Sequence, residues 1–286
     1  MSVKLDSKIA GRFRLTTHGG QRGEIDHGWI DNLILDQGIA FLLNNGDYAV
    51  ESYGFLRVGS GSSAPLVTQA SLDSVVAVAP VKGTKTVGYN PTGGYQWTRF
   101  VYQFGQGVAQ GNLSEIGSGW GAGATQLFSR ALIVDGSGNP TTITVLADEY
   151  LTVTYELRRW WMPANDEVIA YDDDGTPAST TVISNKTPTD AELGNGAPWF
   201  AYVDFGVPTS YDRSTASQGY ITATLSWGTD SGNPQISGLN TTANATNASR
   251  VFVPRGNVFT FNPPIPKTNE FSVQMDVVLS LSRYAP

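Results

Sequence analysis

The 286-residue chain has no cysteine and only two histidines, His18 and His27. The first absence excludes disulfides and thiolate metal sites, so packing alone must hold the fold. The second excludes a three-histidine metal centre and leaves a Ser-His-Asp triad few choices. Nothing approaches the run of roughly eighteen or more apolar residues that a membrane helix needs. Residues 1–13, MSVKLDSKIAGRF, lack the apolar stretch of a secretory signal, so the chain is expected to be made as a soluble protein inside the cell. Basic excess is missing as well. A formal charge of −7 and an isoelectric point near 4.8 oppose binding to phosphate backbones or anionic lipid, and no basic cluster reverses that. Neither a nucleic-acid partner nor a cofactor is expected.

What the sequence does contain describes a folded β protein. Forty per cent of its residues are apolar and fifteen per cent charged, which is too apolar and too weakly charged for a disordered chain. Its 32 glycines and 15 prolines fall in turn-like clusters without a Gly-X-Y period, which removes collagen and favours many short strands. The expected class is mainly β, with one or more antiparallel sandwich-type domains and a single short helix near the N-terminus.

Periodicity places the elements. Residues 12–17 and 24–30 read as a hairpin around the turn HGGQRG. Leu35, Ile39 and Leu42 recur at helical spacing, with Asp31 or Asn32 as N-cap and Asn44-Asn45-Gly46 as a stop, which predicts a helix over about 33–43. So short a helix needs a sheet to cover its apolar face. Short strands are expected at 55–58, 95–104 and 127–134, with the loop GSGSSAP after the first. In EYLTVTYELR, Leu151, Val153, Tyr155 and Leu157 share one face, while Thr152, Thr154, Glu156 and Arg158 share the other, the pattern of a half-buried antiparallel strand. The same alternation runs from Phe271 to Leu281 at the C-terminal end, and YITATLSW repeats it at 220–227. Residues 163–198 are polar, turn-rich and weakly periodic, and 230–249 is a low-complexity loop expected to be mobile or ligand-facing. This divides the chain into an N-terminal domain, 1–162, and a second domain or outward elaboration, 163–286. Asn139-Pro140 before Glu149, and Asn262-Pro263 before Glu270, each precede a long strand, either as a duplicated unit or as two ordinary proline-started strands.

No catalytic residues are expected. A glycan-cleaving enzyme would need two carboxylates facing across a cleft, and the one dense acidic cluster, Asp172-Asp173-Asp174-Gly175, reads as a solvated turn or, less readily, a cation site. VGSGSSAP lacks the lysine of a phosphate-binding loop, and the glycines around Trp120 lack a dinucleotide-binding context, so both read as loops. The candidate assembly or binding surface consists of Ile39 and Leu42 on the helix together with Trp160, Trp161, Trp199, Phe200 and Tyr202, since large aromatics fill either cores or interfaces.

One ordered series of segments carries a resemblance: WIDNLILDQGIAFLL, FLRVGSGSSAP, GNLSEIGSGW and LFSRALIVDGSGNPTTITVLADEYLTVTYELR. Over about residues 25–160, with the ending FTFNPPIPKTNEFSVQMDVVLSLSR, the chain resembles virion structural proteins of tailed bacteriophages, of the tail-fibre and minor tail, baseplate-associated kind. The resemblance implies location in the virion tail after assembly in the host bacterial cytoplasm. It implies other phage tail proteins as partners and action through a homo-oligomer, not through chemistry. A tail tip that binds a host receptor or surface glycan, and a capsid decoration protein, are the alternatives.

Overall fold

The computed structural model describes residues 2–45, 53–90, 92–160, 167–173, 176–184, 210–213, 220–227, 235–240, 258–266 and 273–284. The chain is mainly β, and the sheets whose registers are defined are antiparallel, with one short helix among the described residues. Two compact units divide it, one of residues 9–159 with 283–286 and the other of 1–8 with 160–282.

In the first unit the elements run β1 (Ser2–Gly19, from residue 9 onward), β2 (Ile25–Ile34), α1 (Asp36–Asn45), β3 (Phe55–Gly59), β4 (Val75–Pro80) and β5 (Thr86–Asn90). They continue with β6 (Tyr95–Phe104), β7 (Gly111–Leu113), β8 (Glu115–Gly119), β9 (Ser129–Leu132), β10 (Ile143–Val145) and β11 (Glu149–Trp160). Hydrogen-bonded neighbours follow the order β5, β6, β11, β1, β2, β9, β8, β3, β4. The two ends of this order are one continuous stretch of chain. β4 pairs with β3, an isolated bridge joins Val81 to Tyr102, Lys82 N–H donates to the Val101 carbonyl at 2.7 Å, and β5 pairs with β6. A single bent segment, residues 75–90, therefore straps β3 to β6 and curls the sheet round towards a barrel.

Period-two alternation fills the inside of that curl. β1 turns Ile9, Phe13, Leu15 and Thr17 inward, β6 turns Phe100, Tyr102 and Phe104, and β11 turns Leu151, Val153, Tyr155 and Leu157, all buried. Their rings meet around Tyr53, 4.9 Å from Phe100, 5.0 Å from Phe128 and 6.0 Å from Tyr155, while Phe13 lies 4.9 Å from Tyr155. The two buried hydroxyls differ: that of Tyr155 has no hydrogen-bond partner among the described residues. Tyr102 donates to the Tyr53 carbonyl, and Asn32, Ser129 and Ser118 form a buried chain beside Tyr155 through bonds of 2.8 and 2.7 Å. Burial pushes the Tyr155 hydroxyl up to about 12.

The helix starts later than its periodicity predicts. Leu33 and Ile34 pair with Arg130 and Ser129 as the last residues of β2, so Asp31 and Asn32 lie in a strand and cap nothing. The first helical bond runs from Ile39 N–H to the Leu35 carbonyl, and Asp36 sits in the first turn. Asp36 there favours the positive end of the helix dipole. Gly38 permits α1 to lie against the chain, since a Cβ at this position would collide with the Phe128 carbonyl oxygen.

The second unit contains β12 (Glu167–Asp173), β13 (Thr176–Ser184), β14 (Ser210–Arg213), β15 (Tyr220–Trp227), β16 (Gln235–Asn240), β17 (Val258–Pro266) and β18 (Val273–Arg283, to residue 282), together with residues 2–8. β14, β15 and β18 are successive antiparallel neighbours, and β12, β13, β17 and β16 form a four-stranded sheet in that order. Two expectations are corrected here. The polar stretch 163–198 contains the hairpin β12–β13, and the predicted loop 230–249 contains β16. Ahead of the long strand β18, Asn262-Pro263 lies inside β17. Its pairing with β13 stops at Asn262, and its pairing with β16 shifts register across Pro263 and Pro264, which have no N–H to give a ladder.

Candidate functional site

The segments WIDNLI, FLRVG, EIGSG and SRAL come together as β2, β3, β8 and β9, whose outer face carries a buried charged group. Their centre is Glu115 at the start of β8, with Arg130 of β9 next to it, both completely buried. Glu115 Oε1 accepts from the backbone N–H groups of Gly61 (2.9 Å) and Ser74 (2.8 Å). Its Oε2 accepts from the N–H of Asp73 (3.1 Å) and from Nε and Nη2 of Arg130 (3.1 and 2.9 Å). Arg130 spreads its remaining donors over Gln69 Oε1 at 2.7 Å, Asp73 Oδ2 at 2.8 Å and Ser63 Oγ at 3.3 Å. Asp73 also accepts from the backbone and hydroxyl of Ser63; those bonds hold its carboxyl below the usual range against a desolvation that opposes them. The loop read from VGSGSSAP is thus pinned to its own chain by a buried ion pair. Gly59 and Gly61 make room for it, since a Cβ on either would meet the Glu115 carboxylate.

A parallel device holds the glycine-rich segment after β8. Arg57, buried on β3, donates to the carbonyls of Gly121, Gly123 and Gln126. Burial holds its guanidinium below its ordinary value. Gly117 and Gly119 are strand residues of β8, while Trp120 leaves the sheet to stack on Phe41 of the helix, with ring centres 4.3 Å apart.

A second charged group lies on the outward face of β2, β1, β11 and β6. Glu156 is 1% exposed, although the alternation of β11 placed it on the solvent side. Arg12 donates to it through Nε at 2.8 Å, Arg99 through Nε at 2.6 Å and Arg158 through Nε at 2.7 Å. Desolvation raises the affinity of Glu156 for a proton, but the bonds from Arg12, Arg158 and Arg99 outweigh it and the carboxyl titrates below its ordinary range. Aromatic rings flank the guanidinium planes: Arg12 lies 3.9 Å from the Trp29 ring centre, Arg99 4.2 Å from Trp97, and Arg158 4.9 Å from Tyr95. Gly88, paired with Trp97 across β5 and β6, leaves the space that the indole occupies.

The residues singled out from sequence fall elsewhere. Ile39 is 4% exposed and Leu42 fully buried, so both cover the interior of the first unit. Trp160 ends β11 half-buried. Trp161, Trp199, Phe200 and Tyr202 lie outside the described residues. Asp172 and Asp173 close the β12–β13 hairpin opposite Pro177 and Thr176, and Asp174 lies outside the described residues. Among the described residues, no group of three or more His, Asp or Glu side chains is placed to hold a metal ion. His18 stacks on Tyr150 and bonds Thr152 at 3.0 Å, while His27 bonds Thr17 at 3.1 Å and is held below its ordinary value by desolvation. Near them Arg22 bonds Glu149, which also accepts from Leu146 N–H, and these bonds bring Glu149 to about 2.

Sequence reasoning missed Glu115, Arg130 and the Glu156 group. A usable signal was present: Glu115 and Arg130 each sit alone inside a short strand whose neighbours are small or apolar, where an unpaired charge would be very costly. No family model, curated protein or solved structure matches the chain.

Proposed function

We propose that this chain is a non-enzymatic structural subunit of a tailed-bacteriophage virion, acting by oligomeric assembly with other tail proteins in the fibre, baseplate or collar apparatus. The observation that carries the reading is the ordered motif series, four strands of which the fold makes neighbours. Segments of that series supply β2, β3, β8 and β9, which are adjacent in the sheet, and the Glu115–Arg130 pair that ties their loops together. Both oxygens of the Glu115 carboxylate are engaged by donors of the chain itself, as a framework requires and a reacting group does not. Repetition of one interface around a tail axis makes a homo-oligomer the expected working form.

Purified virions test this. The protein should band with intact particles in a density gradient and remain with tails when heads are removed, as read by mass spectrometry of each fraction. Its absence from banded particles would overturn the reading.

A further inference from the structure

Arg12, Arg99 and Arg158 all bond the same buried carboxylate, and all three do so through Nε. Their terminal Nη nitrogens make no hydrogen bond among the described residues. Three guanidinium charges against the Glu156 carboxylate leave the cluster at +2, and at +1 once the exposed Asp31 is counted, on a chain whose formal charge is −7. The adjoining Arg14 is already matched by Asp26, at 2.5 Å, and Asp31, exposed opposite Arg12, is the acidic neighbour that remains. The three side chains are partly exposed, between 21% and 37%. They stand on β1, β11 and β6, adjacent strands that set such side chains about 5 Å apart per strand.

We infer that this face is a docking site for an acidic segment of a partner polypeptide, whose carboxylates take the free Nη edges of Arg12, Arg99 and Arg158. Three observations select that occupant. The guanidiniums offer side-by-side N–H pairs, which match carboxylates bidentately. The surface combines Arg with Trp and Tyr, the residues that dominate the centres of protein interfaces. The rings of Trp29, Trp97 and Tyr95 lie against the arginines, so they hold the forks in position and are poorly placed to stack on a sugar. Glu156 acts as the positioning residue, fixing three flexible side chains before a partner arrives, which reduces the ordering cost of binding. The inference does not depend on the assembly being a phage tail.

Calorimetric titration of the full chain with an oligoglutamate peptide and, separately, with oligogalacturonate tests it. The peptide is expected to bind at low ionic strength, to weaken as salt is added, and to lose at least about tenfold in affinity in R99Q/R158Q. R99K keeps the charge but not the fork and should bind the peptide more weakly than the parent with an unchanged melting temperature. No peptide binding at low salt, binding unaffected by R99Q/R158Q, full retention by R99K, or tighter binding of the oligogalacturonate would each overturn the inference. Should R99Q/R158Q fail to fold, the R99K comparison and the two titrations of the parent chain decide the matter.

Discussion

Glu115 sits where solvent cannot reach it and Arg130 is its buried counter-charge, so without Glu115 the buried Arg130 keeps only the partly exposed Asp73 as an anion, and without Arg130 the Glu115 carboxylate has no cation among the described residues. Glu115→Gln is expected to lower the unfolding free energy by about 3–5 kcal/mol, the usual result of removing one partner of a buried pair. Urea denaturation checks it, and a loss under about 1 kcal/mol would mean that the loops relax to rehydrate Arg130. Glu156 and Glu149 supply the acid limb of stability. Both titrate below their ordinary range, so their contribution is complete above an unfolded value of about 4.3 and is lost as the pH falls through their lowered folded values, which for Glu149 is about 2. Melting temperature should therefore drop steeply across that window, and Glu149→Gln should make the drop shallower. None of these carboxylates was legible in the sequence. Alternation along EYLTVTYELR assigns Glu156 to the outward face correctly but says nothing of three arginines from two other strands and its own that close over it.

The elements themselves were more legible, for a physical reason. A strand with a strict two-residue period, such as β11, has one face that is buried, so its pattern survives any tertiary context, and the same alternation in the sequence marked β15 and β18. The helix was found for the same reason, through Leu35, Ile39 and Leu42, but its start was placed too early because cross-strand pairing of Leu33 and Ile34 took residues that periodicity had given to the helix. The strands β12, β13 and β16 escaped because their sequences are polar and weakly alternating, and their pairing partners lie far along the chain or are themselves polar. Gly38 offers a test at this scale. Alanine is normally the better helix residue by up to about 1 kcal/mol. Here the added methyl meets the Phe128 carbonyl, so Gly38→Ala should destabilise the protein, and a raised melting temperature would show that α1 can move away from that contact.

For the whole molecule, the mainly β class with one N-terminal helix was readable from glycine and proline scatter and from alternation, whereas the curl of the first unit was not. Sheet closure depends on which strand edges meet. That is decided by the bent segment 75–90, VVAVAPVKGTKTVGYN, for which no strand was expected. The same strap determines where the molecule opens first. Between β4 and β5 the closure rests on the single Val81–Tyr102 bridge and the Lys82 bond, while the pairings on either side are continuous ladders. In deuterated solvent, the Lys82 amide, which crosses to Val101, should therefore exchange well before those of β3, β8 and β11, and before that of Val81, which bonds the Gly54 carbonyl on the β3 side, through a local opening that leaves the rest of the unit protected. A cut in the chain at this point would leave a zipper with its slider removed: two intact rows of teeth, and no element obliged to bring them together.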